Sequence, residues 1–263
     1  MTERSDQELI VEVRDRVGYI TLNRPKQLNA LSSGLHANLA EAFDRFSADS
    51  SVWAVLLRAN GDRAFCAGAD LKEAGLAQGD RGMAKVPMTG MTRNLFEIVM
   101  ECSKPTVAAL FGWTLGAGCE LALACDVRIA ADNLRIGLPE AKRGLGANFG
   151  AQLLPRVAPR SVAFQMLYTG EAIDADDALR WGLVSELTSA IELAERAEAL
   201  IRSIAANAPL TTQRYKSMIT SGADLPVAAA LRLNAGPSPY LSQDRQEGVA
   251  AFLEKRLPRW QGR

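Results

Sequence analysis

The 263-residue sequence has a single histidine, four cysteines and no net charge, with thirty basic residues against thirty acidic ones. These shortages argue against several chemistries. One histidine (His36) and four cysteines (Cys66, Cys102, Cys119, Cys125) with no C-x-x-C pair show no zinc-ligand spacing, which argues against a zinc site and against a Ser–His or Cys–His relay. Balanced charge without a basic stripe argues against a nucleic-acid partner. The start, MTERSDQELI, has neither an apolar signal core nor an Arg/Ser-rich amphipathic leader, so a cytoplasmic protein is expected. What is present is ordinary for a globular protein: 48% hydrophobic and 23% charged residues, enough for a sizeable core.

Periodicity predicts an α/β core. Residues 8–14 and 17–22 alternate and read as a hairpin. Ser32 to Asp49 has helical spacing, with Ser32 or Ser33 as N-cap and His36 on the helix surface. VWAVLLRA (52–59), PTVAALFG (105–112) and DVRIAA (126–131) read as buried strands. Small-residue turns enter helices after the first two, at AFCAGADLKEAG and at 117–125. Residues 74–90, with Gly75, Gly79, Gly82, Pro87 and Gly90, are too glycine-rich for one rigid helix and are expected to be mobile. After about residue 188 the pattern is helical with no strand signal. The expected division is therefore a core over 1–188 and a helical region over 189–263.

The segment FGWTLGAGCELALACD (111–126) is nearly all small or apolar, yet carries Glu120. Three readings compete. As a membrane span, Thr106 to Cys125 is long enough, but it holds three glycines within seven residues. Glu120 would also cost ~2.5–3.5 kcal/mol near the centre of a bilayer. As a dinucleotide-binding turn, Gly112, Gly116 and Gly118 fit G-x-x-x-G-x-G, but the turn lies far past a first strand. A Tyr-x-x-x-Lys is also missing, since Asn23, Ala172, Ile219 and Asp244 stand four residues after the tyrosines. The third reading joins the two small-residue turns, AGAD (67–70) and GAG (116–118). Such turns let backbone N–H groups approach a ligand closely, and a helix N-terminus adds positive potential. Two converging N–H groups would form an oxyanion hole, with Glu120 in the first turn of the helix behind it. For a single Gly-Ala turn alone, packing is the commoner explanation.

These residues, in this order, resemble the crotonase, or enoyl-CoA hydratase/isomerase, family. The matching pieces are NRPKQLNAL (23–31), AFCAGADLKE (64–73), KPTVAALFGWTLGAGCELALACDVRIA (104–130), GLPE (137–140), TGEAIDADDALRWGLVSE (169–186) and FLEKRLPRWQGR (252–263). The resemblance implies a ClpP-like spiral of ββα units with a helical C-terminal region that builds trimers, often paired into hexamers. It implies an acyl-CoA thioester substrate and no metal or redox cofactor, CoA entering as part of the substrate. By position, the oxyanion N–H groups would be those of Ala69 and Ala117. Ala67, Asp70, Leu71 and Lys72 would contact CoA or the thioester. Lys26, Gln27 and Leu28 would line the nucleotide side, and Phe252 and Lys255 would reach CoA on an adjacent subunit. The catalytic pair would be Glu120 and Glu140, and having both favours hydratase over isomerase or other lyase chemistry. Syn addition of water needs one carboxylate to hold and deprotonate water and a second group to protonate C2. Taken alone, Glu140 would read as a helix-start acid after Pro139.

The chain departs from the family pattern after the second glutamate. LGANFGAQLLPR replaces a proline-glycine loop, with Asn148 and Phe149 where small residues are usual. Phe111 and Trp113 flank the second turn where the family commonly has asparagine and a smaller or phenolic residue. The acyl pocket is therefore expected to differ. Phe149 is expected to shorten or redirect it, and the 74–90 segment to cover the acyl chain.

Overall fold

The computed structural model describes residues 7–76 and 93–263. The chain opens with an antiparallel hairpin, β1 (Leu9–Arg14) and β2 (Val17–Leu22). Asp15 and Arg16 close it at φ 50° and 68°, the left-handed pair that a tight two-residue hairpin turn uses. α1 (Ser33–Ala48) starts on Ser32, whose hydroxyl accepts the Leu35 N–H. It buries Leu35, Leu39, Ala42, Phe43 and Phe46, a stripe at helical spacing, and leaves His36 exposed.

From there the chain alternates between two sheets. β3 (Ala54–Ala59) is followed by β4 (Ala64–Cys66), α2 (Leu71–Leu76) and α3 (Leu95–Glu101). Next come β5 (Thr106–Leu110), β6 (Trp113–Leu115) and α4 (Ala117–Ala124). β7 (Val127–Ala131) and β8 (Arg135–Gly137) lead through a 3-10 turn at Pro139–Arg143 to α5 (Asn148–Val157) and α6 (Arg160–Thr169). β9 (Ile173–Asp174), α7 (Ala175–Arg180) and β10 (Glu186–Thr188) complete the sheets. The remainder is helical: α8 (Leu193–Ala205), α9 (Pro209–Gly222), α10 (Val227–Ala230) and α11 (Gln243–Leu253).

The larger sheet has the order β1-β2-β3-β5-β7-β10, parallel beyond the first hairpin. The smaller has the order β4-β6-β8-β9, with only β8–β9 antiparallel. A strand in the first sheet, a short strand in the second and then helix is the ββα unit expected from the sequence. The short strand β6 stands between the buried strand β5 and helix α4, where the sequence pattern showed only a turn.

β5 is buried along its whole length, as a central parallel strand covered on both faces must be, and this explains its unbroken apolar run. One face of the large sheet packs against α1, α3 and α4 through residues such as Ile20, Leu57, Leu110, Phe43, Val99 and Leu121. The other face, with Tyr19, Leu56, Val107 and Ile129, is closed by Leu193, Ala197 and Ile201 of α8. α4 therefore lies inside the protein. Among the described residues no helix is long and apolar enough to cross a membrane. Most of the segment 74–90, expected to be mobile and to cover an acyl chain, lies outside the described residues.

Candidate active site

The AGAD turn after β4 is held against the NRPKQLNAL loop by main-chain bonds. Ala67 N–H donates to Leu28 C=O (3.0 Å), Leu31 N–H to Gly68 C=O (2.8 Å) and Asp70 N–H to Leu31 C=O (3.0 Å). Leu31 and Ala69 thus form a parallel bridge, and the Ala69 N–H has no acceptor among the described residues. The Arg24 guanidinium ties the two segments together, reaching Asp70 Oδ2 at 3.1 Å and Glu8 Oε1 at 2.8 Å. Asp70 Oδ1 also accepts the Lys72 N–H at 3.2 Å. Burial pushes the Asp70 carboxyl up, but these donors outweigh it and hold its pKa below the usual value. Asp70 is thus committed to Arg24 and to the start of α2.

The GAG turn meets AGAD backbone to backbone. Gly68 is at φ 102°, and a Cβ there would lie 3.0 Å from Leu115 O and 3.6 Å from Ala117 N. Gly116, at φ 54° and ψ −126°, is the residue before α4, a conformation open in practice to glycine alone. A Cβ on Gly118 would sit 2.3 Å from Cys66 O, so the first turn of α4 rests directly on the end of β4. Ala117 is the first residue of α4, and its N–H has no acceptor among the described residues. The structure therefore brings the two sequence-predicted donors, Ala69 and Ala117, onto adjoining turns.

Glu120 is only 5% exposed. Its Oε1 accepts the Gly150 N–H at 2.8 Å, and the Phe149 N–H adds to this. α5 has no capping side chain at Ala147, and a carboxylate thirty residues before Gly150 accepts the Phe149 and Gly150 N–H groups of its first turn. Gly150 packs closely here: a Cβ on it would lie 2.7 Å from Leu138 Cδ1 and 3.4 Å from Glu120 Cγ. Burial pushes the Glu120 carboxyl from 4.5 up to about 7; the α5 N–H groups oppose this, and the nearby Glu140 charge adds to it.

Glu140 sits in the 3-10 turn Pro139–Arg143, over the GAG turn. Its Oε1 would be 2.7 Å from a Cβ on Gly116, and its Oε2 is buried without a hydrogen-bond partner among the described residues. Burial raises its pKa too, against its own N–H and the Arg143 charge. Two carboxyls with raised pKa values, beside two main-chain donors that have no acceptor among the described residues, suit proton exchange with a bound substrate or water.

A groove of about 410 Å³ runs beside the AGAD turn, lined by Lys26, Gln27, Leu28, Ala30, Ala67, Ala69, Asp70, Leu71 and Lys72. It gathers every residue that the sequence placed on the CoA side except Phe252 and Lys255. Phe252, near the end of α11, is 83% exposed, and Lys255 is exposed just beyond that helix; neither lines the groove. Phe149 is buried on α5, its ring 5.2 Å from that of Phe96 on α3. Sequence reasoning missed Arg24, Asn29 and Gly150. Their partners lie 46, 31 and 30 residues away, so no local pattern marks them.

Residues 12–263 match the enoyl-CoA hydratase/isomerase family. The chain is 37% identical over 255 residues to an (E)-benzylidenesuccinyl-CoA hydratase from Thauera aromatica, covering 96% of this chain and 98% of that protein. It is 36% identical over 251 residues to a short-chain-enoyl-CoA hydratase from Clostridium acetobutylicum, covering 94% and 95%. A crystal structure of an enoyl-CoA hydratase from Bacillus anthracis superposes with a TM-score of 0.88 at 33% identity, covering 98% of this chain and 100% of that one. The alternation of two sheets, the paired small-residue turns and a match over nearly the whole length lead to one assignment: this chain belongs to the enoyl-CoA hydratase/isomerase, or crotonase, family.

Proposed function

We propose that this enzyme is an enoyl-CoA hydratase, adding water to trans-2-enoyl-CoA to give 3-hydroxyacyl-CoA. The observation that carries the reading is the pair of carboxyls beside the two turns, Glu120 buried and Glu140 half-buried. Glu120 is held by the α5 N-terminus, and Glu140 keeps one buried oxygen without a hydrogen-bond partner among the described residues. A buried acceptor of this kind suits a bound water.

In this reading the thioester oxygen accepts the N–H groups of Ala69 and Ala117. As the water oxygen bonds to C3, the C2–C3 π electrons move towards the thioester oxygen, where the two donors stabilise the enolate. One carboxylate takes the water proton, and the other carboxyl protonates C2. The cations Lys26 and Lys72 on the groove suit the phosphates of CoA, with Gln27 and Leu28 on the nucleotide side and Ala67, Asp70 and Leu71 along the path to the thioester. Phe252 and Lys255 would meet CoA bound by a neighbouring subunit in a trimer or hexamer, with 189–263 as the assembling region. The reaction as proposed uses no metal or redox group.

Crotonyl-CoA tests the proposal. Its conjugated absorbance falls if water adds. A deconjugated 3-enoyl-CoA converted to the conjugated isomer without hydration would favour an isomerase. Binding without turnover of either would favour a non-catalytic acyl-CoA-binding protein. A series of acyl groups, from short chains to bulky aryl-substituted ones, then identifies the substrate.

A further inference from the structure

Leu28 and Asn29 are consecutive non-glycine residues in the left-handed region, both at φ 53°. Such residues persist where their surroundings over-determine them. Here the Asn29 side chain supplies the constraint. It is 0% exposed, and all of its bonds go to main chain. Its Oδ1 accepts the Arg24 N–H at 2.8 Å, and its Nδ2 donates to Asn60 C=O and Ala64 C=O, each at 2.9 Å. One amide thereby joins its own loop, the turn after β3 and the first residue of β4.

The bend it fixes presents Leu28 C=O and Leu31 to the AGAD turn. The resulting bonds use the Ala67 and Asp70 N–H groups and the Gly68 carbonyl, and they skip the Ala69 N–H. In a parallel bridge the central residue directs its own N–H away from the partner strand, so pairing with Leu31 turns the Ala69 N–H outward from the loop. We propose that Asn29 is a positioning residue for catalysis: by locking the Leu28–Asn29 bend it sets the direction of the Ala69 N–H. This rests on the reading of Ala69 as an oxyanion donor.

The test uses the full-length enzyme and a push–pull cinnamoyl-CoA, whose absorbance shifts to the red when its thioester carbonyl is polarised. The parent should shift the bound chromophore; no shift would remove the oxyanion reading of Ala69, and this inference with it. Asn29→Gly keeps the left-handed conformation accessible and removes all three bonds. It should fold and bind the chromophore with a smaller red shift. Its kcat for enoyl-CoA hydration should fall about 10- to 100-fold, with KM changing far less. Asn29→Asp keeps the bond from Arg24 and loses both donations, and it should change shift and kcat in the same direction. A full red shift with unchanged kcat in Asn29→Gly would overturn the proposal even if stability fell, because the role would then be structural alone. Failure of both variants to fold would overturn it for the same reason.

Discussion

Glu120 combines two opposed demands. Its carboxyl is buried enough to titrate near 7, where it can exchange protons with water, and the folded state bears the cost of that burial. A carboxyl whose pKa is higher in the folded state than in the unfolded chain holds its proton more tightly when folded. Its ionisation therefore removes stability as pH rises from 4.5 through about 7, and removes none below that window. The full shift corresponds to about 3 kcal/mol. Glu120→Gln keeps an oxygen for the Gly150 N–H and cannot ionise. Its urea-unfolding free energy should exceed that of the parent at pH 8, with the two curves converging towards pH 4.5. A pH-independent difference would mean that the carboxyl is not carrying this cost. The acid itself was legible in the sequence as one charge in an apolar run. Its bond to Gly150 was not, because the two residues meet only after α4 and α5 pack together.

At the scale of elements, the hairpin, α1 with its Ser32 cap, β3, β5 and β7 could be read from sequence because each carries its own periodicity or cap. β6, β8 and β9 could not. They are two or three residues long, too short for a pattern, and exist because neighbours in the second sheet pair with them. The contact between α4 and β4 is similarly non-local and depends on Gly118. Gly118→Ala would drive a Cβ to 2.3 Å from a main-chain oxygen, which no side-chain rotation relieves. It should destabilise the protein by about 1–3 kcal/mol or more and reduce turnover by moving the Ala117 N–H. Gly34→Ala, in α1 with nothing nearer than 3.9 Å, should instead stabilise by about 0.5–1 kcal/mol. Comparable unfolding midpoints for the two variants would contradict this account of the α4–β4 contact. On α5, Phe149→Ala removes a ring packed on Phe96 and should shift acyl preference towards bulkier groups. An unchanged profile across the acyl series would show that the ring does not shape the pocket.

At the scale of the whole molecule, the fold gathers residues from four separated segments, the loop 23–31, the AGAD turn, α4 and the turn at Pro139–Arg143, into one site. The other end of the chain presents apolar surface. Leu241, Phe252, Leu253 and Leu257 are exposed in the single chain, as expected if 189–263 covers them in a symmetric assembly. Light scattering should give a trimer or hexamer, and a fully active monomer would contradict that proposal. The central claim is that Glu120 and Glu140 act together on one water beside the two N–H donors. Its most direct test is the hydration of crotonyl-CoA by the parent, Glu120→Gln, Glu140→Gln and the double variant. Each single change should lower kcat about 10²–10⁴-fold while acyl-CoA still binds. The double variant should lose far less than the product of the two, because the carboxyls form one unit. Parental turnover in either single variant, or losses that simply multiply in the double, would contradict the account.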